Sequence, residues 1–447
     1  MEGQGMNKLR KFRNRALMLS LAGAAAFAVT ACGNGGGGGA TTGGKDADAA
    51  AKNSAIVTKP VTIKFSRTDN YIMEPIDNAI KETLGKKYPN ITLEIVQQTK
   101  GNSIEEQVAA GTPSDIYQGG SGTVNTLKPL GLNFDLTPLI KSHNFDIGRI
   151  EPHMLDLMRL KSDDGKALLG LPYANGFNLM FYNKDIFDKF GVPYPKDGMT
   201  WEQIMDLSKK VTRQDGGTQY YGFAIGGNWY TPFQAQFGLP LVDVKTSKAA
   251  VTTEGWKRAF DYAKRLYEAG GNDPKLYSSS GNMFYKDKVL AMWISNNNSR
   301  YMSEMNWDMV SLPSTPEKPG IGGPSPYNVM TIASSSKEKD AAFQVLDVIF
   351  TDEVQTAIAK YGMPSPLKDD KYKKMLGQDA GMNGKNVMAV FNNKPAPLLD
   401  DTDLDPYVNK ALAPVMKDVL AGKKDINTAL REAADTGNAN IEAAGVK

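Results

Sequence analysis

Apolar and polar positions alternate in three short stretches early in the chain. Val61, Ile63 and Phe65 share one face of a predicted strand, and Ile91, Leu93 and Ile95 share one face of a second. Pro113-Ser114-Asp115-Ile116-Tyr117 reads as a short third. Ile72, Ile76, Ile80 and Leu84 recur every four residues between the first two, the stripe of a packed helix. Before the third strand, Ser103 and Glu106 have the spacing of a capping box. Strand, helix, strand, helix, strand predicts an α/β fold with a parallel sheet and crossover helices. Such sheets bind ligands at the carboxyl ends of their strands, here residues 67–71 and 118–123.

The pattern continues in the same style. Residues 166–171 read as a further strand. Residues 177–182 form an apolar run rich in aromatics, long enough for a buried strand and too short for a helix. Asn183 caps a predicted helix there and Gly191 ends it; Pro172 and Gly176 ahead of it break regular structure. Thr200 and Gln203 cap another helix, which carries Trp201, Ile204 and Leu207. Residues 226–233 read as a glycine-rich loop loaded with aromatics. Residues 253–269 form an amphipathic helix with Trp256, Phe260, Ala263 and Tyr267 on one face. Strands are expected at 289–294, 309–312 and 329–332, and helices at 340–350, 353–361 and, broken near Gly422, 407–444. No internal repeat is visible.

Charge changes meaning once the N-terminus is set apart. The formal net charge is +3. Lys8, Arg10, Lys11, Arg13 and Arg15 stand against Glu2 alone in the first 31 residues, so the remainder carries 47 basic and 48 acidic residues. That balance gives no argument for nucleic acid. The basic cluster precedes an apolar run at 16–29 that is too short for a membrane span, which reads as a secretory signal over residues 1–31. The run ends in Val29-Thr30-Ala31-Cys32, which resembles a bacterial lipobox. Cys32 is then the lipidated first residue of the mature chain. It is the single cysteine, so no internal disulfide forms. Residues 32–58 follow as a flexible tether. The glycines at 35–39 lack the strand and the Gly-Lys-Ser/Thr of a phosphate loop.

Catalytic chemistry finds little footing. His143 and His153 are the two histidines, neither near a nucleophile motif, and both read as surface residues. Gly119-Gly120-Ser121-Gly122 ends in Thr123 and so misses the nucleophile elbow, and the Ser334 to Lys337 match comes from a serine run before a helix. Asp401, Asp403 and Asp405 begin like a calcium loop, but Pro406 and Leu412 occupy its glycine and acid positions. No metal and no cofactor is expected.

The series F-Y-N-K-D-I-F-D-K-F-G-V-P-Y-P from Phe181, followed by Thr200-Trp201-Glu202, resembles the signature of family 1 extracellular solute-binding proteins, the carbohydrate receptors of ABC importers. Ala341-Ala342-Phe343 with Thr351-Asp352-Glu353-Val354-Gln355 is similar to that family's late helix pair, with Phe343 for its tryptophan. Residues 289–294 are similar to its strand after a glycine turn, although Asp287-Lys288-Val289 replaces the turn. The resemblance implies a two-lobed periplasmic-binding-protein-like fold of type II. Lobe 1 would comprise 59–172 and about 325–375, and lobe 2 173–324 and about 376–447. A multi-segment hinge would join them, crossing at 172–176 and near 322–328.

A sugar receptor covers ring faces with aromatics and holds the rim hydroxyls with amides and acids. The predicted strand ends supply Gln118 and Ser121. The resemblance implies ligand contacts from Asp69 and Asn70, from Asn175 where maltose-type relatives have a glutamate nearby, and from Trp229 and Tyr230 as an aromatic platform. It adds Asn296 and Asn297, Tyr327 on the return crossing and Tyr407 as a late stacking ring; Trp293 fits either the site or the core. Helix capping competes for Asp69 and Asn70. The expectation is a monomeric, lipid-anchored receptor on the extracytoplasmic face of the cell membrane. It would pass a mono- or oligosaccharide to ABC permease subunits, with no chemistry on the substrate. A surface-anchored glycan-processing enzyme and a ligand-sensing lipoprotein are the competing readings.

Overall fold

The first two alternations become β1 (Val61–Arg67) and β2 (Ile91–Gln97), and the third becomes β3 (Ile116–Gly120). The computed structural model describes residues 56–67, 73–120, 122–296, 299–324, 327–397, 399 and 402–445. Between β1 and β2, helix Glu74–Lys87 buries Ile76, Ile80 and Leu84, three of the four stripe residues; Ile72 lies outside the described residues. The Ser103–Glu106 box closes in both directions. β1 runs parallel to both partners, with Val61 opposite Ile91 and Phe65 opposite Ile116.

Four elements bring the chain through its middle: β4 (Leu171–Asn175), β5 (Leu179–Asn183), β6 (Arg213–Asp215) and β7 (Thr218–Ile225). The strand expected at 166–171 is displaced to β4. Asp164 Oδ1 accepts from the backbone N–H of Lys166 (2.9 Å) and Ala167 (3.1 Å), and Asp135 Oδ1 accepts from that of Leu168 (3.0 Å). Carboxylates thus take the donors a ladder needs. Pro172 sits inside β4 rather than breaking it, because β4 is an edge strand. Asn183 caps helix Lys184–Phe190, accepting from Asp185 N–H at 3.1 Å. Gly191 ends that helix in the left-handed region, at φ 64°. Thr200 and Gln203 form a reciprocal box on helix Trp201–Val211.

β8 (Val242–Asp243) and β9 (Lys248–Ala249) make a small hairpin. β10 (Leu290–Ser295), β11 (Trp307–Val310) and β12 (Tyr327–Ile332) complete the strands. The result is two five-stranded sheets, ordered β2-β1-β3-β12-β4 and β11-β5-β10-β7-β6. In the first, β12 runs antiparallel to β3 and β4. In the second, β10 is parallel to β7 and antiparallel to β5.

Each sheet has its own core. The first core runs from Ile63 to Ala174 and resumes from Tyr327 to Tyr372. The second runs from Phe177 to Leu312 and resumes from Met382 to Ile441, with helices Asp405–Leu420 and Ile426–Ala444 paired on it. All five tryptophans lie in this second core. The chain therefore crosses three times, at 176–178, between Leu312 and Tyr327, and between Tyr372 and Met382. No helix among the described residues is long and apolar enough to cross a membrane.

Candidate functional site

Three residues separate the end of β4 at Asn175 from the start of β5 at Leu179, so those two strand ends face each other. The pairings extend this to whole sheet edges. β12 is antiparallel to both β3 and β4, which puts the carboxyl ends of β1, β3 and β4 on one edge beside Tyr327. Leu179 pairs with Ser295, which puts the carboxyl ends of β10 and β7 on the opposing edge. Both sheets thus turn their ligand-binding ends toward one gap.

Six of the sequence-predicted residues belong to these edges. On the first, Gln118 is 2% exposed and donates through Nε2 to the Tyr173 hydroxyl. Asn175 lies opposite Tyr327; its N–H donates to Pro364 O at 2.8 Å, while its Oδ1 is buried without a partner among the described residues. Tyr327 is buried, its ring 6.3 Å from His153, and burial pushes its hydroxyl up to about 12. On the second edge, Trp293 is buried and donates to Ser280 Oγ at 3.2 Å, and Asn296 is exposed. Trp229 follows β7 but is 1% exposed, edge-on to Phe223 and Tyr267.

Tyr230 and Tyr407 stand elsewhere. Tyr230 is fully buried, stacked on Phe260 at 5.9 Å and donating to Asn409 Oδ1 at 2.5 Å; burial raises its pKa. Tyr407 lies in the first turn of helix Asp405–Leu420, half-buried against the second core. The expected loop at 226–233 is cut short because a helix, Thr231–Phe237, starts inside it with Pro232 in its first turn. Trp229 and Tyr230, just ahead of that helix, are both buried. Asp69, Asn70, Ser121, Asn297 and Cys32 lie outside the described residues.

The crossings are tied to one another. Asn178 Nδ2 donates to Pro324 O at 3.0 Å, linking the first to the second. Gly322 N–H and Lys394 O pair at 2.8 Å, as do Lys394 N–H and Gly320 O, joining the second crossing to the segment that follows the third. A cavity of about 310 Å³ lies where they meet, lined by His153, Asn175, Phe177, Asn178, Pro364 and Phe391 among others. Of the two facing edges only Asn175, at the end of β4, and Leu179, at the start of β5, reach its walls, so it lies at the hinge end of the gap. His153 is therefore half-buried in a cavity wall and not freely exposed; burial lowers its pKa, against the pull of Glu151 and Asp156. The other histidine, His143, pairs with Asp340 at 2.8 Å and packs on Phe343.

Two features escaped the sequence reading. Lys128 reaches Asp163 at 2.7 Å and, across to the segment that follows the third crossing, Asp403 at 3.9 Å. Tyr301 is 55% exposed in the turn after β10. Its signal was its distance from any apolar stripe. At the first edge Arg67, 4% exposed, spends its guanidinium on Asp77 through two hydrogen bonds of 2.6 and 3.1 Å. Among the described residues no cluster of acids and histidines is arranged to hold a metal.

Comparison with known proteins agrees with this geometry. Residues 66–356 match the profile of bacterial extracellular solute-binding proteins. The sn-glycerol-3-phosphate-binding periplasmic protein of Rhizobium meliloti is 22% identical over 358 residues, covering 74% of this chain and 80% of its own. An ABC substrate-binding protein of Listeria monocytogenes in complex with cycloalternan superposes with a TM-score of 0.68 at 19% identity, covering 87% of this chain and all of that one. An open sugar transporter structure from Rhizobium etli gives 0.70 at 20% identity, covering 85% and 99%. These neighbours share the two-lobed fold.

Proposed function

Because the chain belongs to the family of bacterial extracellular solute-binding proteins, we propose that it captures a sugar or oligosaccharide between its lobes and delivers it to the permease of an ABC importer. The observation that carries this reading is the pair of facing sheet edges joined by three chain crossings. We take lobe 1 as 59–172 with about 325–375, and lobe 2 as 173–324 with about 376–447; the two separate cores support that division, except that Tyr173 and Ala174 pack in the first core and carry lobe 1 to the end of β4. Ligand enters the open gap, and closure follows from contacts made to both lobes at once. Gln118, Ser121, Asn175, Asn296 and Asn297, with Asp69 and Asn70, supply amides, a hydroxyl and a carboxylate for the sugar hydroxyl groups. The lipid on Cys32 and the tether after it hold the monomer at the extracytoplasmic face of the membrane.

A phosphorylated polyol is the second reading, since the Rhizobium meliloti relative is named for one. The Arg67–Asp77 pair speaks for a neutral ligand, because the guanidinium charge is already balanced by a carboxylate. The test is a thermal-shift screen of the lipid-free chain from Gly33 against neutral sugars, sn-glycerol 3-phosphate, amino acids and peptides. A ligand at 100 times its Kd adds about 2.7 kcal/mol, which is a shift of a few degrees at this chain length. A rise with one sugar class, accompanied by a smaller scattering radius and no product, is the expected result. A rise with the phosphate ester alone would overturn the sugar reading.

A further inference from the structure

A sugar receptor needs a ring face open to the gap, and among the described residues the aromatics predicted for the two edges do not offer one. Trp229, Trp293 and Tyr327 are each buried, as is Tyr230 behind them. Tyr301 is different. It is the one exposed aromatic side chain among the described residues, at 55%. It belongs to the turn Ser299–Tyr301, a few residues beyond the end of β10, and β10 ends on the edge that faces the first sheet.

Its other face is occupied. The ring stacks on Tyr285 with centroids 5.5 Å apart and planes 24° apart. Tyr285 lies 6.0 Å from Trp293, and the Trp293 indole is pinned by Ser280. Gly281 makes room for this stack, since a Cβ there would lie 3.2 Å from the Tyr285 ring and 3.4 Å from that of Trp293. A ring held from behind has lost its freedom before ligand arrives, so stacking on it costs little further ordering. Its free face is apolar and its hydroxyl polar, the combination that suits a pyranose or furanose ring. Asn296, exposed five residues earlier, offers an amide for the rim of the same ring.

We propose that Tyr301, backed by Tyr285 and Trp293, is the platform on which lobe 2 stacks the apolar face of a sugar ring. The proposal rests on the sugar-receptor reading above. The test is calorimetric titration of the wild-type protein, Tyr301→Ala and Tyr301→Phe with neutral mono- to tetrasaccharides, including D-tagatose, mannotriose and cycloalternan. The alanine variant should lose at least about tenfold in affinity, or about 1.4 kcal/mol. The phenylalanine variant, which keeps the ring, should stay within about twofold of wild type. In the absence of sugar Tyr301→Phe should melt with the wild type, and Tyr301→Ala, which loses only the stack on Tyr285, should still unfold cooperatively within a few degrees of it. Wild-type affinity in Tyr301→Ala overturns the platform and leaves the receptor reading standing. A wild-type protein that binds none of the saccharides overturns both.

Discussion

His153 lines the hinge cavity half-buried, and burial is the larger influence on its imidazole, lowering its pKa below that of an unfolded chain. The unfolded state therefore takes up a proton first as pH falls. Stability is lost as pH drops through the ordinary histidine range, near 6.5, and the loss levels off below the folded value. His153→Asn removes this contribution. The difference in Tm between pH 7.5 and pH 5 should be smaller in that variant than in wild type; an unchanged difference would mean the imidazole protonates freely. At this scale the sequence was legible where a side chain acts on its own neighbours. Asn183, Thr200 with Gln203, and Ser103 with Glu106 cap as their spacing says, because a cap needs only residues within three positions. Trp229 was not legible in the same way. Whether a ring beside two glycines turns out or in depends on Phe223 and Tyr267, which arrive from other elements.

Elements were read well where burial is one-sided, as in β2, and less well where side chains intercept the backbone, as at 166–170. Packing between elements was not legible at all, and β7 against helix Trp201–Val211 shows why. A Cβ on Gly222 would lie 2.6 Å from Thr212 Oγ1 and closer still to the hydroxyl and carbonyl oxygens of Ser208. Both hydroxyls are committed, since Ser208 and Thr212 each donate to Ala269 O, at 2.9 and 3.0 Å. Glycine is required here by close approach of strand and helix. Gly222→Ala should destabilise the protein by about 1–3 kcal/mol in urea denaturation. An equal change at Gly216, in a turn with open space around it, serves as the comparison for backbone strain at φ 55°.

Across the whole molecule, Lys128 reaches from the segment after β3 to Asp403, just ahead of the helix pair on the second core. The pair is long at 3.9 Å, both side chains are more than two-fifths exposed, and Asp163 competes for the same ammonium at 2.7 Å. Such pairs contribute about 0–1 kcal/mol. Asp403→Asn should therefore weaken sugar binding by less than about fivefold, and added salt should do no more. A larger loss in calorimetry would make this pair a latch on the closed state. The two-lobed order was visible in the sequence through the resemblance; the facing of the edges was not, because it follows from pairings such as Leu179 with Ser295, more than a hundred residues apart.

The placement of all five tryptophans in the second core gives the molecule a one-sided optical readout. Indole emission sees lobe 2 alone, whereas far-ultraviolet circular dichroism sees the helices of both. A sugar-free melt followed both ways should give a broader dichroism curve than emission curve if each core loosens on its own terms. Saturating sugar bridges the lobes and should bring the two curves together. Curves that already coincide without sugar would mean that the crossings alone make the two halves one cooperative unit, with emission then a fair witness for the half that carries no indole.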